Sequence, residues 1–178
     1  MNSAFVQAPI LETARLVLRP HGADDLDAVF AMWSDPDIVR HITGKPSTRE
    51  ESWARILRYA GLWPLKGYGY WAVVEKSSDR YIGDVGIADF VRDMTPPIYE
   101  APEAGWALIP AAHGKGYATE AMQAALAWVD ANLDVVSTMC MLDEKNNASM
   151  RVAEKCGYRE YARAEYKGSP SLLCRRVK

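Results

Sequence analysis

The sequence predicts a single α/β domain built on a mixed sheet, and three observations carry that prediction. Apolar residues alternate at period two in some segments and recur at helical spacing in others, in the order βααβββαβαββ. The length, 178 residues, suits one domain, so residues 1–178 are read as a single unit. Hydrophobic residues at 49% and charged residues at 25% describe a chain that buries a core, which excludes disordered and collagen-like architectures.

Each element has its own signal. Residues 13–19 alternate apolar and polar side chains with β-branched content, as a strand does. Asp24 and Asp25 open a helix with Leu26, Val29, Phe30 and Trp33 on one face, and Asp35-Pro36 should end it. Thr48 and Glu51 have capping-box spacing, ahead of Trp53, Ile56, Leu57 and Ala60. Residues 70–75 and 81–90 form a hairpin across five polar residues, with Gly83 and Gly86 marking a bulge or a close backbone approach. Residues 91–103 are a proline-containing loop, and 104–109 a short strand stopped by Pro110. Residues 115–132 form the clearest helix, with Ala118, Ala121, Met122, Ala125, Leu126 and Val129 on its apolar face. A strand over 135–142 follows, then a helix from Ser149 that closes on Gly157 as a left-handed cap. Strands over 158–166 and 171–177 flank a final turn.

Composition narrows the function classes. No apolar run exceeds six residues, against the roughly 20 of a membrane-spanning helix. Residues 1–9 lack the basic cluster and apolar core of a secretory signal, so a cytoplasmic protein with no membrane partner is expected. The net charge of −2 and the lack of a basic cluster argue against nucleic acid as the main partner. Cys140, Cys156 and Cys174 are too far apart for a metal cluster and sit in apolar stretches, as small buried hydrophobes. His21, His41 and His113 are scattered, so no metal is expected.

The informative segment is His113-Gly114-Lys115-Gly116-Tyr117-Ala118-Thr119, which joins a strand to the best helix. Two glycines at a helix N-terminus let bare N–H groups converge, and those groups suit a phosphate or pyrophosphate. A dinucleotide fingerprint needs a third glycine where Thr119 stands, and a P-loop needs different spacing.

The string His113-x-x-Gly116-x-Ala118 resembles the Gln/Arg-x-x-Gly-x-Gly/Ala motif of the GNAT acetyltransferase superfamily. The whole chain resembles the branch that acetylates ribosomal-protein N-termini. Supporting matches are Thr13-x-Arg15-Leu16-x-Leu18-Arg19, Ile82-Gly83-x-x-Gly86, Gly116 to Ala121, and Asn146-x-x-Ser149-x-Arg151 through Gly157-Tyr158, in the family's order. His113 replaces the usual Gln or Arg, and Ala153 stands where many members place a tyrosine acid.

The resemblance implies a mostly antiparallel mixed sheet with helices on both faces and a splay between two strands. It implies acetyl-coenzyme A as donor, a primary amine as acceptor (a peptide N-terminus or a small amine), and a monomer or homodimer. The donor's pantetheine would bond to the backbone of Trp106, Ala107, Leu108 and Ile109, like an added strand. Its pyrophosphate would reach His113, Gly114, Lys115, Gly116, Tyr117, Ala118 and Thr119, with Asn146 beside the thioester arm. In that branch Ser149 is the position proposed to protonate the leaving thiolate.

A lysine-like amine with a pKa of about 10.4 is almost wholly protonated near neutral pH, whereas an α-amine near 7.7–8.0 is not, so only the former demands a strong base. Glu103 is the leading carboxylate for that role, with Glu100 and Asp84 behind it. Helix capping is the competing role for Ser149. Trp63, Tyr68, Tyr70 and Trp71 are core residues that can also wall an acceptor pocket. A silent acetyl-coenzyme A-binding sensor is the alternative function, and it would need no acid–base pair.

Overall fold

The computed structural model describes residues 6–94 and 101–178. Eight strands form one sheet: Leu11–Glu12 (β1), Leu16–Arg19 (β2), Tyr70–Glu75 (β3), Arg80–Ala88 (β4), Glu103–Leu108 (β5), Ser137–Asp143 (β6), Arg159–Tyr166 (β7) and Ser169–Val177 (β8). Their order is β1-β2-β3-β4-β5-β6-β8-β7, and every neighbouring pair is antiparallel except β5–β6.

The helices are Leu26–Trp33 (α1), Pro36–Val39 (α2), Arg49–Lys66 (α3), Tyr117–Asn132 (α4) and Asn147–Lys155 (α5). They cover both faces, which is why Tyr70–Val74 of β3 and Ile82–Ala88 of β4 are buried throughout. Val29, Trp33 and Ile56 from α1 and α3 pack with Ala107 on one face, and Tyr59 and Leu62 of α3 pack there on Tyr70 and Ala88. Ala121, Met122 and Ala125 of α4 pack with Trp71, Val85 and Ile87 on the other. Among the described residues, no helix is long and apolar enough to cross a membrane.

Several local expectations change. The strand expected over 13–19 is interrupted: the Thr13 N–H donates to Leu16 O at 3.0 Å and the Leu16 N–H to Thr13 Oγ1 at 2.9 Å, closing a tight turn between β1 and β2. Asp35-Pro36 ends α1 but also starts α2, because Asp35 accepts from the Asp37 N–H as an N-cap and proline fits the first helical position.

The capping box is present, with the Glu51 N–H on Thr48 Oγ1 and the Thr48 N–H on Glu51 Oε2. The buried face of α3 is rotated from the expected one, however. Ser52, Ile56, Tyr59, Leu62 and Trp63 face inward, while Trp53 and Leu57 are 37% and 53% exposed. The large rings of Tyr59 and Trp63 fill the space over the sheet: Tyr59 stacks on Tyr70 at 4.3 Å, and Trp63 meets Trp71 and Trp128 edge-on. Trp63 and Trp71 are thus core. Helix α4 begins at Tyr117, two residues later than expected, because Gly116 takes a left-handed backbone (φ 79°) at its N-cap. Residues 95–100, Glu100 among them, lie outside the described residues. The three cysteines are buried and free.

Gly83 and Gly86 do mark a bulge and a close approach. The β3–β4 register shifts at Val73/Val74, opposite Gly83. A Cβ on Gly86 would stand 2.6 Å from the Gly69 carbonyl oxygen and against the Tyr70 backbone. Backbone cannot swing aside as a flexible side chain does, so Gly86→Ala should destabilise by about 1–3 kcal/mol. Thermal melting checks this, and an unchanged midpoint would contradict it.

Candidate active site

The site follows from how β5 meets its two neighbours. Against β4 it pairs at all six positions, from Gly83↔Leu108 to Ala88↔Glu103. Against β6 it pairs at one, Glu103↔Met139, supported by a 3.0 Å bond from the Met139 N–H to Pro102 O. Beyond that contact the two parallel strands diverge, and among the described residues the β6-facing backbone of residues 104–108 has no ladder partner. This is the expected splay.

A cavity of about 630 Å³ opens along it. Glu103, Trp106 and Ala107 line one side, and Leu142, Asn146 and Ser149 the other. So the structure brings seven of the candidate site residues named above, Tyr70, Asp84, Glu103, Trp106, Ala107, Asn146 and Ser149, to one cavity. Leu108, Ile109 and the segment from His113 to Thr119 lie beyond its lining, at the C-terminal end of β5.

That segment has the geometry an anion site requires. Gly114 and Gly116 both take positive φ, 73° and 79°. The Gly116 cap provides no side-chain hydrogen bond, and the first intrahelical bond runs from the Glu120 N–H to Gly116 O. The N–H groups of Tyr117, Ala118 and Thr119 therefore have no partner within the helix. His113, which replaces a Gln or Arg, donates from Nε2 to Leu108 O at 2.8 Å and ties the loop to the end of β5. On the far side Arg15 braces the cradle through Glu120 at 2.6 Å and Lys115 O at 2.9 Å. The unpaired β5 backbone and these free first-turn amides fit an extended amide-bearing cofactor with a diphosphate.

Asn146 is the N-cap of α5: its side chain accepts from the Ser149 N–H at 3.0 Å. The cap is therefore the asparagine, and the Ser149 hydroxyl is not needed for it. Asn146→Ala should cost about 1 kcal/mol of stability, read as a lower melting midpoint. A midpoint equal to that of the parent would remove Asn146 as the cap.

Both oxygens of Glu103 accept from Arg92, at 2.6 and 2.7 Å, and the pair is largely buried. The guanidinium is held protonated against the desolvation that opposes its charge, by the Glu103 carboxylate and Tyr166. A carboxylate offers about four lone-pair sites, so each Glu103 oxygen keeps one. Asp84 lies at the back wall, wholly buried, and accepts from His21 Nε2 and the Tyr81 hydroxyl at 2.7 Å and from Trp33 Nε1 at 2.9 Å. Burial, reinforced by Asp84, pushes the Tyr81 phenol well above its usual range, so it remains a donor.

Tyr70 crosses the floor above Gly86 and Gly105, and a Cβ at Gly105 would collide with its hydroxyl. Burial raises its phenol well above the ordinary range, with further contributions from Tyr59 and Glu103. At the mouth, His41 Nδ1 bonds Asp143 at 2.6 Å and ties the α2–α3 connection to the end of β6. Sequence reasoning missed Arg92, His41 and the α3 arginines, since nothing in the sequence shows that they converge on one cavity. The i, i+3 spacing of Arg55 and Arg58 was the one available signal. Among the described residues, no His, Cys, Asp and Glu group is arranged to hold a metal.

An α/β sheet split between two parallel strands, with an anion cradle at one end of the split, defines an enzyme class that transfers a group from an extended cofactor. Residues 15–159 match the family model described as "Acetyltransferase (GNAT) domain". An uncharacterized N-acetyltransferase of Bacillus subtilis (strain 168), YoaA, is 25% identical over 153 residues, 85% of this chain and 84% of that protein. A putative GnaT-family acetyltransferase from Bordetella pertussis superposes with a TM-score of 0.85 at 30% identity, over 96% of this chain and 100% of the other. RimL, a ribosomal L7/L12 alpha-N-protein acetyltransferase solved with coenzyme A, shares the fold at 16% identity and a TM-score of 0.77, over 95% and 98% of the two chains. The chain belongs to the GNAT acetyltransferase family and is an acyltransferase.

Proposed function

We propose that this protein, a single catalytic domain over residues 1–178, moves the acetyl group of acetyl-coenzyme A onto a primary amine: a peptide N-terminus or a small amine. The observation that carries the proposal is the β5–β6 splay, whose unpaired backbone opens into the cavity lined by Glu103 and Ser149. When bound, the cofactor supplies an acetyl group already activated as a thioester.

The chain's own residues do the rest. The β6-facing backbone of Trp106, Ala107 and Leu108 bonds the pantetheine amides in place of a neighbouring strand, whereas Ile109, expected to join them, already donates its N–H to Ile82 O and accepts from the Ala112 N–H. Gly114, Lys115 and Gly116, with the first-turn amides of Tyr117, Ala118 and Thr119, hold the diphosphate, and His113 anchors that loop. Asn146 orients the first turn of α5 and with it Ser149. Glu103, oriented by Arg92, takes the proton from the attacking amine on a free lone pair. The Ser149 hydroxyl gives its proton to the departing sulfur and regains one from solvent, to which Glu103 in turn releases the proton it took. The cytoplasm, where this donor is at hand, is the proposed compartment.

Thiol release from acetyl-coenzyme A, measured with a panel of peptides, polyamines and small amines, tests the reading. Turnover with at least one amine is expected. Tight coenzyme A binding without release on any of them would identify a cofactor sensor instead.

A further inference from the structure

We propose that the acceptor carries an oxyanion, a carboxylate or a phosphate, and that Arg55 and Arg58 bind it. This rests on the acetyl-transfer reading above. Six Arg and Lys side chains line the cavity against four carboxylates, of which Glu51 and Glu103 are ion-paired with Lys45 and Arg92, and Asp84 and Asp143 are hydrogen-bonded to His21 and His41. Of the lining cations, Arg40 bonds Asp37 outside the cavity at 3.4 Å. Arg55, Arg58 and Lys167 face no carboxylate among the described residues. The cavity thus has surplus positive charge in a chain whose net charge is −2.

The two arginines are also seated for planar recognition. The Arg55 guanidinium lies 3.5 Å over the Trp33 ring and donates to the Tyr59 hydroxyl at 3.4 Å. Its Nε is buried without a hydrogen-bond partner. Arg58, one turn along α3, lies 5.8 Å from the Tyr59 ring and 5.5 Å from Phe90. These ring contacts position both guanidinium groups and leave N–H donors on each for a ligand with paired oxygens. Lys167, on the β7–β8 turn, adds a mobile charge at the same opening.

Cofactor phosphates do not account for this charge. Helix α3 packs on the sheet face opposite α4, whose N-terminus forms the diphosphate cradle outside this cavity. The surplus cations belong to the acceptor side. An oxyanion there orients the amine of the same molecule toward the splay and discriminates against polyamines by repulsion.

Matched acceptors test the inference: O-phosphoethanolamine against ethanolamine, and alanyl-glutamate against alanyl-glutamine amide, so that the two pairs separate phosphate from carboxylate. At least one anionic member should show a kcat/KM about tenfold or more above its neutral partner. Arg58→Glu should reduce that ratio about tenfold through KM, and the milder Arg58→Gln by less, while the Kd for coenzyme A stays within a factor of about two. Equal use of charged and neutral members, or weakened coenzyme A binding in Arg58→Glu with the acceptor ratio intact, would overturn the inference. If no amine releases thiol, the acetyl-transfer reading itself fails. Calorimetric binding of the same pairs with coenzyme A present then decides the anion site separately: preference for the anionic member, lost in Arg58→Gln, sustains it, and no preference overturns it.

Discussion

Gly116→Trp should raise the Kd for acetyl-coenzyme A by about a hundredfold or more, the largest single-site effect expected in this protein. Three costs coincide at that position. Gly116 has φ 79°, where a side chain costs about 1 kcal/mol. An indole there would cover the first-turn N–H groups of Tyr117, Ala118 and Thr119, the proposed anion donors. It would also crowd Arg15, whose Nη2 would be 3.5 Å from the first added carbon. That distance is ordinary contact, so Gly116→Ala pays the backbone cost without closing the cradle. The alanine variant should melt lower yet lose less than about tenfold in affinity. Calorimetry on both variants, beside melting curves, checks the assignment. A folded Gly116→Trp protein that binds acetyl-coenzyme A normally would place the diphosphate elsewhere.

Ser149→Ala should lower kcat by about 10- to 100-fold while cofactor affinity stays within a few-fold. The size follows from the leaving group. A thiol has a pKa of about 8.5, so its thiolate departs tolerably well without a proton and an acid adds only a decade or two. The structure sharpens the test, because the α5 cap is Asn146 and not Ser149. Deleting the hydroxyl leaves the cap whole, so the melting midpoint should hardly move. Kinetics at saturating acceptor separate the roles: unchanged kcat, or a loss that tracks a lowered midpoint, would remove Ser149 as the acid. Ser149→Thr retains a hydroxyl and should keep most of the rate.

The order of elements and the two site-forming segments were legible in the sequence because their signals are local. The period-two runs, the Thr48–Glu51 box and the Gly114–Gly116 turn each depend on residues within a few positions of one another, whereas the α5 cap, weighed for Ser149, falls to Asn146. Local signals were less reliable where packing chooses between equivalent faces. Helix α3 has apolar side chains on more than one side, and Tyr59 and Trp63 turned inward because Tyr59 stacks on Tyr70 while Trp63 reaches Trp71 and Trp128 on the α4 side. Only the tertiary structure showed that Asp84 is enclosed by His21, Trp33 and Tyr81, that Glu103 is paired with Arg92, and that Arg55 and Arg58 are left over. By itself the sequence determined the α/β class and the glycine turn ahead of α4, while the splay was expected only through the family resemblance. Which charges neutralise one another, and which remain for a ligand, was decided by distances between residues remote in the chain. Those distances exist only once the sheet has assembled, because Coulomb and hydrogen-bond energies depend on separation in space and not along the sequence.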